Sequence, residues 1–259
     1  MMVRRYTVQI IVVFTIIIGQ SAGLAAYENR DDGIILLKED TYGYYEYIYL
    51  TKKDIRYISV SGSYTIADDR HALLKRDQGD KMFSLIGEKY FKLNGRYEGV
   101  KEPGLVYEDV FYEADVYKDG RHKNTIAHES NIPDPMRSLV EQLASIVPSL
   151  ADSGRYGYYI KASKMRLGEY QNMIGKSMTN READLFIKKE RPTYKVTDKL
   201  ILPYSILQRV IKEPEFFIYL GENQKDIKFL HLFKSEKELY IAEDNNLYLV
   251  RIYRREKQP

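Results

Sequence analysis

The sequence predicts an α+β fold of two small domains, each made of antiparallel strands or hairpins packed with one or two helices. Three observations carry that expectation. Short strand-like runs come in hairpin pairs, one strongly amphipathic helix lies mid-chain, and a Gly/Ser/Asp stretch follows it. Strands that cluster in hairpins instead of alternating with helices argue against a parallel α/β sheet. The 259 residues, 44% hydrophobic and 30% charged, can bury a core and suit one large or two small domains.

Residues 1–26 read as a secretory signal. Arg4 and Arg5 precede an apolar run over 8–18, and Gly19, Ser21, Ala22, Gly23, Ala25 and Ala26 supply the small residues of a cleavage region. Cutting after Gly23 or after Ala25 meets the small-residue requirement equally well. No cysteine follows the run, so bacterial lipid attachment has no acceptor. The mature chain is therefore expected in the periplasm or outside the cell, and it meets a membrane only if the segment stays uncleaved.

Residues 27–148 form the expected N-terminal α+β domain. Strands are predicted over 33–37, 44–51 and 55–60, the last two joined by a polar turn at Thr51, Lys52, Lys53 and Asp54. Met82, Phe83, Leu85 and Ile86 make a helical patch bounded by Gly79 and Gly87, with Tyr90 and Phe91 behind it. A hairpin follows over 109–117 and 121–129, around the tight-turn dipeptide Asp119-Gly120. Asp134 and Pro135 then open a helix whose apolar stripe is Met136, Leu139, Val140, Leu143, Ile146 and Val147, and Pro148 ends it.

Residues 149–157, with Asp152, Ser153, Gly154 and Gly157, read as a linker, and 158–259 as the C-terminal α+β domain. Strands are expected over 158–165 and 184–189, a helix over 204–212 stopped by Pro214, and a hairpin over 239–241 and 247–253. Residues 227–233 fit helical and strand periodicity alike, and the preceding Glu222-Asn223 favours helix.

Composition and motifs exclude several chemistries. Zero cysteines remove disulfides, thiol catalysis and cysteine-ligated metal centres. Without Arg4 and Arg5 the chain is near neutral and has no concentrated basic block, so no nucleic-acid partner is expected. Gly175-Lys176-Ser177 imitates the end of a phosphate loop, but Tyr170 stands where the first glycine belongs and Gly168 is two residues too early. No nucleotide and no cofactor is expected. His128-Glu129 begins like a zinc-protease helix, yet Ile132 replaces the second histidine and Pro133 would break the helix. His122 and His128 share a strand face about 20 Å apart, too far for one metal ion, and with His71 and His231 scattered no metal site is expected. There is no G-x-S-x-G elbow, no S-x-x-K, no calcium loop and no glycosylation sequon.

Two constellations remain. On the strand over 109–117, Glu113 and Asp115 point the same way roughly 6.5 to 7 Å apart, the carboxylate separation of inverting glycosidases. They are the least implausible catalytic pair, although alternation with Val110, Tyr112, Ala114 and Val116 also marks them as an ordinary wet face. On the strand over 44–51, Tyr45, Tyr47 and Tyr49 form a row on one face, in a chain of 24 tyrosines, 9 phenylalanines and no tryptophan. Such a row either packs inward or offers an aromatic strip for a protein or sugar, and these three are the candidate binding residues.

A short apolar helix, Asp109-Val110-Phe111-Tyr112, the Asp119-Gly120 turn and Pro135 leading into Ser138-Leu139-Val140 and Leu143 together form a recognisable order. Over residues 33–147 it resembles the layout of emfourin-type bacterial protease inhibitors and allied envelope domains. That resemblance implies a protein partner and assigns no functional residue. The expected function is an exported, non-enzymatic protein that binds another macromolecule, a protease or an envelope component. An envelope hydrolase using Glu113 and Asp115, and a structural or assembly protein without a small ligand, are the alternatives.

Overall fold

The computed structural model describes residues 32–40, 42–62, 64–99, 110–165, 193–233, 238–243 and 246–257. The expected signal, Asp109, the 175–177 motif and the strand expected over 184–189 lie outside the described residues. The protein is a strand-rich mixed α/β structure with one large sheet and few helices. Along the chain come β1 (Gly33–Glu39), β2 (Tyr45–Thr51), β3 (Asp54–Ser61) and β4 (Thr65–Leu73). Helices α1 (Arg76–Ser84) and α2 (Glu88–Phe91) follow, then β5 (Arg96–Tyr97), β6 (Phe111–Lys118), β7 (Arg121–His128) and α3 (Asp134–Ile146). The remainder comprises β8 (Ala151–Asp152), β9 (Gly157–Lys164), β10 (Thr193–Lys195), α4 (Ser205–Lys212), β11 (Ile218–Gly221), β12 (Glu238–Glu243) and β13 (Asn246–Arg255). The hydrogen-bonded order is β10-β12-β13-β4-β3-β2-β1-β6-β7-β5, with β8 on β4, β9 on β13 and β11 on β9.

The chain divides into two compact units, Met1–Ile58 with Arg70–Ala151, and Ser59–Asp69 with Asp152–Pro259. The second unit thus takes the tip of the β3–β4 hairpin, residues read from sequence with the first half. Within the stretch read as a linker, β8 is a short strand preceded by a 3₁₀ turn over Val147–Ser149.

In the first unit β1 pairs antiparallel with β2 and β6, and β6 with β7, in continuous register. The β6–β7 turn is the predicted one. Asp119 and Gly120 both take positive φ, 52° and 70°, as a two-residue hairpin with the right-handed strand twist requires. One sheet face presents Ile34, Leu36, Ile48, Leu50, Ala114 and Val116 to Phe83, Ile86, Met136, Leu139 and Leu143. Period-2 alternation on the strands and period-3.6 spacing on α3 therefore meet in one aliphatic layer. Lys118 closes the end of α1 by donating from Nζ to the carbonyls of Phe83 (2.9 Å) and Ile86 (2.7 Å).

The second unit packs Ile160 and Ala162 of β9, Val250 and Ile252 of β13 and Ile241 of β12 against Leu207, Val210 and Ile211 of α4. Residues 227–233 are not an α-helix. A 3₁₀ turn over Gln224–Asp226 precedes them and another, Leu230–Leu232, lies within them, which put Ile227, Phe229 and Leu232 into the core without a full helical turn. Strands β4, β10 and β11 carry no strong hydrophobic alternation and escaped sequence reading.

Gly79 is also not a helix boundary, because α1 passes through it. A Cβ there would strike the backbone of Lys52. Alanine normally favours a helix over glycine by about 1 kcal/mol, so the sign should invert at this position. Gly79→Ala is expected to destabilise the protein by about 1–3 kcal/mol, the usual cost of overpacking, as a lowered urea midpoint at unchanged slope. An unchanged or raised midpoint would show that the approach to Lys52 does not constrain α1.

Candidate functional site

The tyrosine row of β2 is present, with ring centroids 6.4 Å apart for Tyr45 and Tyr47 and 6.2 Å for Tyr47 and Tyr49. It is not an exposed strip. Tyr47 and Tyr49 are 5% and 2% exposed, while Ile48 and Leu50 on the other face are equally buried, so β2 is covered on both sides. Lying between β1 and β3 it has no free edge, and Tyr47 and Tyr49 stand across from Leu37 and Ile35. Of the candidate binding residues, only Tyr45 is half-buried and the other two are buried.

The exposed aromatic surface lies one turn earlier, at Tyr42 (67% exposed) and Tyr44 (54%). Asp40 builds this turn. Its Oδ1 accepts from the backbone N–H of Tyr42 and of Tyr44, each at 2.9 Å. Its carbonyl accepts from Gly43 N–H, and its own N–H donates to the Tyr44 carbonyl at 3.1 Å. Gly43 adopts φ 76°, a left-handed conformation with no steric cost for glycine. One aspartate therefore fixes the backbone that displays two phenol rings.

Glu113 and Asp115 do share a face of β6, as expected. The gap between them is filled: the Nδ2 of Asn124, across on β7, donates to Glu113 Oε1 (2.7 Å) and to Asp115 Oδ1 (3.0 Å). The volume that an attacking water would need in an inverting glycosidase holds a side-chain amide instead. His122 Nε2 contacts the same Asp115 oxygen at 3.0 Å and stacks on Tyr117 with a centroid distance of 4.3 Å. His128, at the far end of β7, is buried, and its Nδ1 accepts from the Ser130 N–H. Among the described residues no group of three or more histidines and acids could hold a metal ion.

Sequence reading missed a buried polar layer in the second unit, whose members alternate with core residues and so resemble a wet face. Lys161 of β9 is 3% exposed. Its Nζ donates to Glu215 Oε2 (2.5 Å) and to Ser163 Oγ (2.7 Å), and Ser163 donates in turn to Glu215 at 3.3 Å. Glu215 follows Pro214 and takes φ 74°, a strained conformation for a non-glycine residue. Serine activation by lysine needs a free amine, and here the lysine is bound as an ion pair, so the trio acts as a structural latch.

Beside it, Arg251 Nε donates to Glu238 Oε1 (2.9 Å), which also accepts from the Tyr64 hydroxyl (2.6 Å). Burial, followed by the hydrogen bond to Glu238, pushes the Tyr64 phenol up to about 12. Asp69, fully buried on β4, accepts from the Tyr159 hydroxyl at 2.8 Å. Arg255 makes a two-pronged contact with Asp152, its Nη2 to Oδ2 at 2.5 Å and its Nη1 to Oδ1 at 3.2 Å.

Two outcomes follow from these pairings. Glu215→Gln leaves the Lys161 charge buried beside a neutral amide and is expected to cost about 3 kcal/mol, while Lys161→Met with Glu215→Gln recovers most of it, read by urea denaturation. A double variant as unstable as the single one would overturn the latch. Between pH 10 and about 12 the unfolded phenol ionises while folded Tyr64 stays neutral, so stability that is full below pH 10 should fall across that window. Tyr64→Phe should flatten the fall, and an unaltered slope would count against it. Comparison with protein-family models, curated proteins and solved structures finds no match, so the functional reading rests on the geometry of these sites.

Proposed function

We propose that the chain is an exported, non-enzymatic pair of small α+β domains that binds another macromolecule, a protease or an envelope component. The observation that carries this reading is the Asp40 turn. Tyrosines give large contact area with few rotatable bonds, and a turn whose backbone is already fixed loses little entropy when it is covered. Tyr42 and Tyr44 combine both properties, and Tyr45 extends the surface onto β2. The Asn124 amide between Glu113 and Asp115 weighs against a hydrolase, since it takes up lone pairs that acid–base chemistry would need.

The test is site-specific photo-crosslinking in envelope extract, with the photoreactive residue in place of Tyr44 and, as control, of Lys123 on β7. A partner captured from position 44 and not from 123, and lost in Tyr42→Ser/Tyr44→Ser with the melting curve unchanged, is the expected result. Equal capture from both positions, or none from 44, would sink the reading.

A further inference from the structure

In the second unit two large apolar side chains stand out of the surface at a single turn, between β10 and α4. Leu200 is 47% exposed and Leu202 59%. Ile201 between them is fully buried and joins Leu207 and Val210 of α4 in the core, so it anchors the turn while its neighbours face water. Asp198 fixes the backbone. Its carbonyl accepts from the N–H of Ile201 and of Leu202, each at 2.9 Å, and its Oδ2 accepts from the Lys195 N–H at 2.6 Å. The Tyr204 N–H donates to the Ile201 carbonyl, Gln208 Nε2 donates to the Leu202 carbonyl, and Pro203 has no N–H. From Ile201 to Tyr204 every backbone N–H is therefore bonded within the protein or missing. A loop in water has no need of this, whereas a segment entering lipid does. Lys195 and Lys199 flank the leucines, both exposed and neither with an ion-pair partner among the described residues. Asp198 is the one acid against these two lysines over residues 193–208, so the local charge is positive.

We propose that this turn is a membrane-contact loop: Leu200 and Leu202 enter the boundary between headgroups and acyl chains of an anionic bilayer, while Lys195 and Lys199 stay at the level of the phosphates. The leucines gain by leaving water, and the ammonium groups gain from the negative surface while their stems lie along the apolar layer. A protein that adds a strand to an edge needs free backbone N–H groups, and residues 201–204 offer none. The inference is independent of the Asp40 turn.

The chain has no tryptophan, so Leu202→Trp places a single reporter in the full-length protein. Leu73→Trp, at a leucine 78% exposed in the first unit, is the matched control. Because the apolar run over 8–18 can itself hold the chain on vesicles, the readout is local: the blue shift of the tryptophan emission, and the fraction quenched by lipid with brominated acyl chains. Vesicles are phosphatidylcholine alone, or equal parts of phosphatidylcholine and phosphatidylglycerol. Leu202→Trp emission is expected to shift to the blue and be quenched, with the inserted-to-free ratio of the loop about fivefold higher on the anionic vesicles, and Leu73→Trp emission to stay unchanged. In the Leu202→Trp background, Lys195→Gln/Lys199→Gln should lower that ratio about tenfold or more on anionic vesicles, and Leu200→Ser several-fold on both. Melting curves establish that each variant folds, and Leu200→Trp serves if Leu202→Trp does not. Emission unmoved by either vesicle, an equal response at positions 73 and 202, or a response indifferent to the lysine and Leu200 changes overturns the proposal. A shift produced only by lipid-free envelope protein would overturn it too, by giving the leucines to a protein partner.

Discussion

Strands β2, β9 and β13 are withdrawn from water on both faces over most of their length, and this constraint decides what their side chains must do. A strand with one wet face can leave its polar residues to solvent, whereas one covered on both sides must pair every charge it carries. On β2 the requirement is met with tyrosines, which bury large rings beside Leu37 and Ile35. On β9 and β13 it is met with ion pairs: Lys161 with Glu215, Arg251 with Glu238, and Arg255 with Asp152. These pairs stabilise less by attraction than by preventing the penalty of a lone buried charge, so they specify position more than they add stability.

The same constraint separates structural from exposed chemistry. Glu113, Asp115, Asn124 and His122 form a continuous hydrogen-bonded row in which each acid already has a protein partner. Lys161, Ser163 and Glu215 close on one another in the same manner. Tyr42 and Tyr44 differ, because Asp40 satisfies the backbone of their turn and both side chains stay largely exposed.

Local rules made much of the fold legible. Asp119-Gly120 specified its hairpin, and the stripe from Met136 to Leu143 specified α3, because each depends on residues adjacent in sequence. What escaped depends on distant partners. Strand β4, with Asp68, Asp69 and Arg70 in succession, gains its order from β3, from Ser153, whose N–H donates to the Asp69 carbonyl, and from Tyr159. The tyrosines at 45, 47 and 49 were recognisable as a row, but alternation separates two faces without telling whether a second layer covers one of them. The exposed pair had a usable signal in Asp40 and Gly43, the first and fourth positions of a tight turn. Gly79 misled because a glycine inside a helix looks like a stop unless the neighbouring chain that crowds it is known.

The passage of Ser59–Asp69 into the second compact unit bears on how the polypeptide matures as it leaves the ribosome. Asp69 is made early, yet Tyr159, which donates to it, is made ninety residues later. Until then that carboxylate and the strand bearing it lack their final surroundings, so the early hairpin tip waits, half-finished, for the later half of the chain. Vectorial synthesis thus delivers all of the first unit before the second is complete, while Ser59–Asp69 of the second unit waits for the later residues to be made.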